Sequence, residues 1–170
     1  MTDYKADIMI DLRKYLWNQL TSNSIFTATD YYSDNIGQEI IPIIPVQQSP
    51  EMNQFLSGKK HIVYDKIGLS YEENWAICCE QILFTIYSTD VSEINEIRNL
   101  MTDLFRRMDD TAEDINNFMG SNSPFIFFSV SLIDLLSPEP EREKVGWQAG
   151  QVVIRYKYGR QISPTTGRFS

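Results

Sequence analysis

Side chains that usually mark metal chemistry or nucleophilic catalysis are scarce in this chain. Its 170 residues include one histidine, His61, and two cysteines, Cys78 and Cys79. One imidazole and two thiols cannot complete a structural zinc site, which takes four ligands. The cysteines are adjacent in a segment that reads as a strand. Alternation sends their side chains to opposite faces, so a disulfide between them has poor geometry, and they are expected as small buried or half-buried residues. The eight glycines are scattered, with no Gly-x-Gly-x-x-Gly turn, no Walker-type loop and no Gly-x-Ser-x-Gly elbow. Calcium-loop spacing is missing too. No apolar run approaches the roughly 18 to 20 residues that cross a bilayer. The start, Met1 to Asp7, is polar and acidic, without the basic-then-apolar order of a secretory signal. A cytosol-like setting without membrane contact is the expectation.

Acid is missing from one end. All 23 acidic residues lie within 1–144, together with 11 of the 15 bases, for a net of -12. Residues 145–170 carry only Arg155, Lys157, Arg160 and Arg168, for a net of +4. An acidic body repels phosphate backbones, which disfavours generic nucleic-acid binding. The basic end reads either as a solvated strand face with a loose tail or as an arm that docks on an acidic surface of another copy. Apolar residues at 42% and charged residues at 22% describe a globular chain. Its length suits one domain with a core of its own.

The pattern along the chain predicts an α/β domain of the α+β type. It has a mixed, mostly antiparallel sheet flanked by an N-terminal helix and a central amphipathic helix. Ile8, Leu12, Leu16 and Leu20 recur every four residues, giving a helix from about Tyr4 to Leu20 with Asp3 and Asp7 at its positive end. Residues from about 25 to 60 read as an extended, turn-rich loop. Within it, Ile40 to Val46 is apolar but holds Pro42 and Pro45, so it can form only an edge strand or an arm. His61 to Asp65 reads as a short strand broken at Gly68. Trp75 to Tyr87 reads as a long central strand, apolar on both faces and expected to be covered on both. Glu80 interrupts it and needs a partner there.

Asp90-Val91-Ser92-Glu93 has the spacing of a capping box. The helix it opens carries Ile94, Ile97, Met101, Leu104, Phe105 and Met108 on one face. Asp110 to Glu113 repeats the start signal for a second short helix ending near Met119. An apolar strand from Phe125 to Leu135 follows, then a Pro/Glu loop, then a closing strand from Gln151 to Tyr158. The domain spans 1–158, and 159–170 forms a basic C-terminal arm.

Carboxylates are the one abundant catalytic raw material. Asp109, Asp110, Glu113 and Asp114 cluster at a helix junction, where acids satisfy orphan amides and the dipole. Glu72 and Glu73 sit in a turn. Both clusters are expected as caps and turns. His61, beside Lys59 and Lys60, is expected as surface structure. Phe127 and Phe128 are expected in the sheet core, and Tyr156 and Tyr158 on a half-exposed strand, rather than stacking bases. No catalytic, cofactor or metal residues are assigned.

The order of elements resembles the tail terminator (tail completion or neck connector) proteins of long-tailed bacteriophages. Carrying the resemblance are the N-terminal helix, the extended Ile43-Ile44-Pro45-Val46-Gln47-Gln48-Ser49-Pro50-Glu51 and His61-Ile62-Val63-Tyr64-Asp65. Trp75 to Ser88 running into the Asp90 helix continues it. The ending Pro138-Glu139-Pro140, Trp147 and Val153-Ile154-Arg155-Tyr156-Lys157-Tyr158 completes it.

The resemblance implies a non-enzymatic virion protein, located in the tail or neck and made in the host cytoplasm. It implies a six-fold ring that caps the tail tube, ends its polymerisation and meets the head. The implied partners are further copies of the chain, the tail tube protein, a neck or head-completion protein and, in a contractile tail, the sheath. DNA is expected to pass the channel without specific binding. A head-to-tail ring needs two unlike patches on one subunit. Arg155, Lys157, Arg160 and Arg168 against Asp109, Asp110, Glu113 and Asp114 of a neighbour are the candidates. A head–tail adaptor ring of the neck is the nearest alternative. A small carboxylate- or metal-dependent hydrolase and a cellular regulatory module are the alternatives from other classes.

Overall fold

The computed structural model describes residues 7–34, 37–47, 49–71, 77–120, 123–141 and 145–160, with only the backbone of Leu69, Ser70, Tyr71 and Arg160. It shows a mixed α+β fold. The N-terminal helix α1 (Ile8–Ser22) starts at Asp7, whose carboxylate accepts the Met9 amide at 3.0 Å. The proposed start at Tyr4 and the contribution of Asp3 lie outside the described residues. A 3-10 turn (Ala28–Tyr31), a two-stranded ribbon of β1 (Tyr32–Ser33) and β2 (Gln38–Glu39), β3 (Ile43–Pro45) and α2 (Pro50–Phe55) follow. The segment after α1 is therefore more ordered than a loop. Ser49 caps α2 by accepting the Met52 amide, and Pro50 stands at its first turn, where a missing N–H costs nothing.

Five strands form the main sheet, ordered β3, β4 (His61–Tyr71), β5 (Ile77–Ser88), β7 (Gln148–Arg160) and β6 (Phe125–Pro140). Every pairing is antiparallel except β3 on β4. The Ile40 to Val46 stretch thus supplies an edge strand, as its prolines require. Gly68 does not end β4, because the chain absorbs it in a bulge between Lys66 and Gly68. Strand β6 runs on through Pro138 and Pro140, where a loop was expected. It is an edge strand, and an edge tolerates residues that cannot donate outward. Trp75 and Ala76, placed in the central strand from sequence, lie outside the described residues, as do Glu72 and Glu73.

Helices α3 (Val91–Phe105) and α4 (Asp109–Met119) connect β5 to β6 and pack with α1 on one face of the sheet. Most buried side chains of the two central strands share one parity: Ile82, Phe84 and Ile86 of β5, then Val152, Ile154 and Tyr156 of β7. They join Leu12, Leu16, Ile94, Ile97, Met101 and Phe105 in one core. Glycine at 150 sets how close α3 comes. A Cβ there would stand 2.5 Å from Ile94 Cγ2 and 3.1 Å from Arg98 Cδ. Asn116 of α4 holds the edge strand by its backbone. Its amide donates to the Phe127 carbonyl and accepts the Phe127 N–H, both at 2.8 Å. A side-chain amide thereby stands in for a missing neighbouring strand.

The opposite face was expected to be covered, but among the described residues of β4 and β5 only His61 and Cys79 are buried on it. Gln81, Leu83 and Thr85 of β5, with Gln151 and Val153 of β7, are only half-buried. Alternation alone could not show this, because Leu83 and Val153 suit a covered or a bare sheet equally.

Candidate interaction surfaces

The bare face is built in rows fixed by strand register. Asp65, Leu83, Val153 and Asp134 lie opposite one another across β4, β5, β7 and β6. The next rows are Gly68, Gln81, Arg155 and Ser131, then Ser70, Cys79, Lys157 and Ser129. Two apolar side chains are therefore flanked sideways by acids and lengthwise by bases on one side, with Val63, Thr85, Gln151 and Leu136 in the row on the other. Arg155 is exposed, and no carboxylate among the described residues pairs with it. Lys157 is half-buried and makes contacts within its own chain. The side chain of Arg160 and all of Arg168 lie outside the described residues.

The acidic candidates lie on the other side of the molecule, in the helical layer. Asp109, Asp110 and Glu113 are exposed at the start of α4. Asp114 differs, because it is ion-paired with Arg107 of its own chain. That pairing, led by the hydrogen bond to Asp114, raises the Arg107 pKa. The predicted start at Asp110 is one residue late, and Met108 at the cap position makes no side-chain cap. Met108 also leaves the apolar face it was assigned to. Helix α3 ends at Phe105, and Met108 is 57% exposed.

The capping box at Asp90 is half formed. Asp90 accepts the Ser92 amide at 2.8 Å, which lowers its pKa. Glu93 does not return to the cap. It takes the Ser88 hydroxyl and the Lys60 ammonium, while the Asp90 amide donates to Ser88 Oγ at 3.0 Å. A residue from the preceding strand outcompetes the local motif because it is already buried beside it.

Glu80 has the partners it needs. It is 7% exposed and accepts the Tyr156 and Tyr158 hydroxyls, the latter at 3.0 Å, with Lys66 Nζ 3.8 Å away. Lys66 also reaches Asp7 at 3.0 Å, tying the start of α1 to the sheet. Tyr156 and Tyr158 therefore point to the covered face, Tyr156 fully buried and Tyr158 half-buried, while Arg155 between them is exposed. Burial first, and the Glu80 carboxylate second, hold both phenols well above the ordinary tyrosine value. A carboxylate held by two phenols and an ammonium is a structural clasp.

Two further expectations change with the tertiary structure. His61 is buried, not on the surface. Its Nδ1 lies 2.8 Å from the Lys59 carbonyl and its ring stacks on Tyr87 with centroids 5.3 Å apart. Phe127 is in the core, but Phe128 is 46% exposed, because the bulge between Phe127 and Ser129 throws it outward. The cysteines form no disulfide, with Cys79 buried and Cys78 half-buried.

Among the described residues, no three His, Cys, Asp or Glu side chains gather closely enough to share a metal ion. No helix among them is long and apolar enough to cross a membrane. Sequence reasoning missed Leu83, Val153, Asp65 and Asp134 as one surface. Their alternation was visible, but the register that aligns them was not. No protein-family model matches this chain, and no curated protein matches it either.

Proposed function

We propose that this chain is a structural subunit of a long-tailed bacteriophage tail, of the tail terminator type. It assembles into a ring, six-fold by the resemblance, that caps the tail tube, stops its growth and receives the head. The observation that carries the proposal is an unfinished surface. Among the described residues, helices cover one face of the five-stranded sheet, and the other face presents exposed Arg155 beside half-buried Leu83 and Val153. The helical layer on the other side presents Asp109, Asp110 and Glu113. Unlike patches on opposite sides are what a head-to-tail ring requires, and such contacts close when the rotation per subunit divides the circle.

Native mass spectrometry over a concentration series, with negative-stain images of large species, tests it. A closed ring is the expected result, formed by the chain alone or on purified tail tubes. A chain that stays monomeric in both settings overturns the proposal. The acid excess elsewhere suits a channel through which DNA slides without sticking, so duplex binding at ordinary salt counts against it. An adaptor ring of the neck would share the same surfaces. Binding to tail tubes rather than to head connectors separates the two.

A further inference from the structure

The corner between α3 and α4 reads Arg106-Arg107-Met108-Asp109-Asp110, and its backbone is held in an unusual conformation. Met108 has φ 48° and ψ -104°, a region that L side chains avoid and glycine enters freely. The surroundings leave it no choice. The Arg106 amide closes α3 on the Thr102 carbonyl at 3.0 Å, and the Met108 carbonyl accepts the Ala112 amide at 3.1 Å. Buried Thr111 donates its hydroxyl to the Leu104 carbonyl, and Arg107 pairs with Asp114. Strain of this kind survives only where neighbours over-determine it, and it concentrates at functional positions. Its result here is a large apolar side chain projecting into solvent, 57% exposed, between exposed Arg106 on one side and Asp109 and Asp110 on the other.

The bare sheet face carries the complementary arrangement. Leu83 and Val153 form an apolar centre about 5 Å across, flanked by Asp65 and Asp134, with Arg155 one row, about 7 Å, along the strand. The corner and this face lie on opposite sides of one subunit, so no chain can bring its own two together.

We infer that the ring contact is the α3–α4 corner of one copy seated on the bare sheet face of the next. Met108 packs on Leu83 and Val153. Asp109 and Asp110 meet Arg155, and Arg106 meets the flanking acids Asp65 or Asp134. This inference rests on the ring proposal above and names its partner surfaces. A second copy is the occupant because the two patches match in charge order as well as in apolar centre.

Charge exchange tests the contact, with sedimentation velocity of the full chain as the readout. Arg155→Glu and Asp110→Arg should each raise the concentration needed for rings at least tenfold. Combined, they should bring it back to within about threefold of the natural chain. A double variant no better than the singles overturns the contact. Met108→Gly gives a second, independent result. It should raise Tm, because glycine accepts the backbone that methionine resists, and it should weaken ring assembly. Higher Tm with unchanged assembly overturns the contact while leaving the ring proposal standing. So does a variant that keeps its rings but no longer binds tail tubes, which would assign the corner to the tube. A natural chain that never forms rings, even on tail tubes, overturns both.

Discussion

The two faces of the sheet have similar apolar raw material and opposite fates. On β5, Ile82, Phe84 and Ile86 point one way and are buried, while Leu83 and Thr85 point the other and are half-buried. The difference is made by what lies overhead. Amphipathic α3 and α4 are tied down on one side by Gly150, by the Asn116 clamp on Phe127 and by the Thr111 hydroxyl. Over the other side no described element packs. A β-sheet needs one buried face to be stable, and the second can be left for other work. One face of this sheet therefore holds the fold together, and the other is left without a helix over it among the described residues.

The sharpest way to break this asymmetry is at the closest approach of the covered face. Gly150→Val puts a branched side chain where a single Cβ already meets Ile94. It should destabilise the domain by about 3 kcal/mol, measured by urea unfolding. A change under about 0.5 kcal/mol would mean that α3 does not sit where described.

Glu80→Leu is next. It leaves the buried Tyr156 hydroxyl and the half-buried Tyr158 hydroxyl without their acceptor, and should cost about 2 kcal/mol in the same assay. The same clasp sets an alkaline limit. Tyr31, Tyr156 and Tyr158 have raised pKa values in the fold, caused first by burial. Their contribution to stability is complete below the unfolded tyrosine value of about 10 and is lost as pH rises above it. Phenolate absorbance should therefore show these three ionising only with cooperative unfolding. Independent early titration of all nine tyrosines would contradict the packing.

The smallest effect belongs to the bare face. Leu83→Thr puts a β-branched residue, which suits a strand, in place of leucine and should change monomer stability by about 0.5 kcal/mol or less. On the ring proposal it should nonetheless weaken assembly, because the apolar centre of the contact is gone. A large loss of monomer stability would show that the face is covered after all.

Much of the covered face was legible in the sequence. Four-residue spacing from Ile8 to Leu20, the Asp90 start signal and the prolines at 42 and 45 each act through their immediate neighbours. Each correctly predicted a helix, a cap or an edge strand. The errors share a cause as well. Gly68 suggests a break and Pro138 a loop, yet both are accommodated in strands because a partner strand tolerates a bulge or an edge there. Sequence pattern places His61 and Tyr156 near the surface, and only the neighbours Tyr87 and Glu80 explain their burial. The candidate charges were identifiable one by one. Asp114 could not be told from Asp110, because its pairing with Arg107 depends on how the corner turns.

By itself, then, the sequence determined the main helices and the cores of the long strands, which face of each helix is apolar and where the net charge changes sign. Those properties follow from local backbone preferences and from side-chain periodicity along one element. Tertiary structure decided which sheet face is covered, that β6 stands at the other edge and where Met108 points. These depend on strand register and helix docking between residues far apart in the chain, contacts that no local pattern encodes.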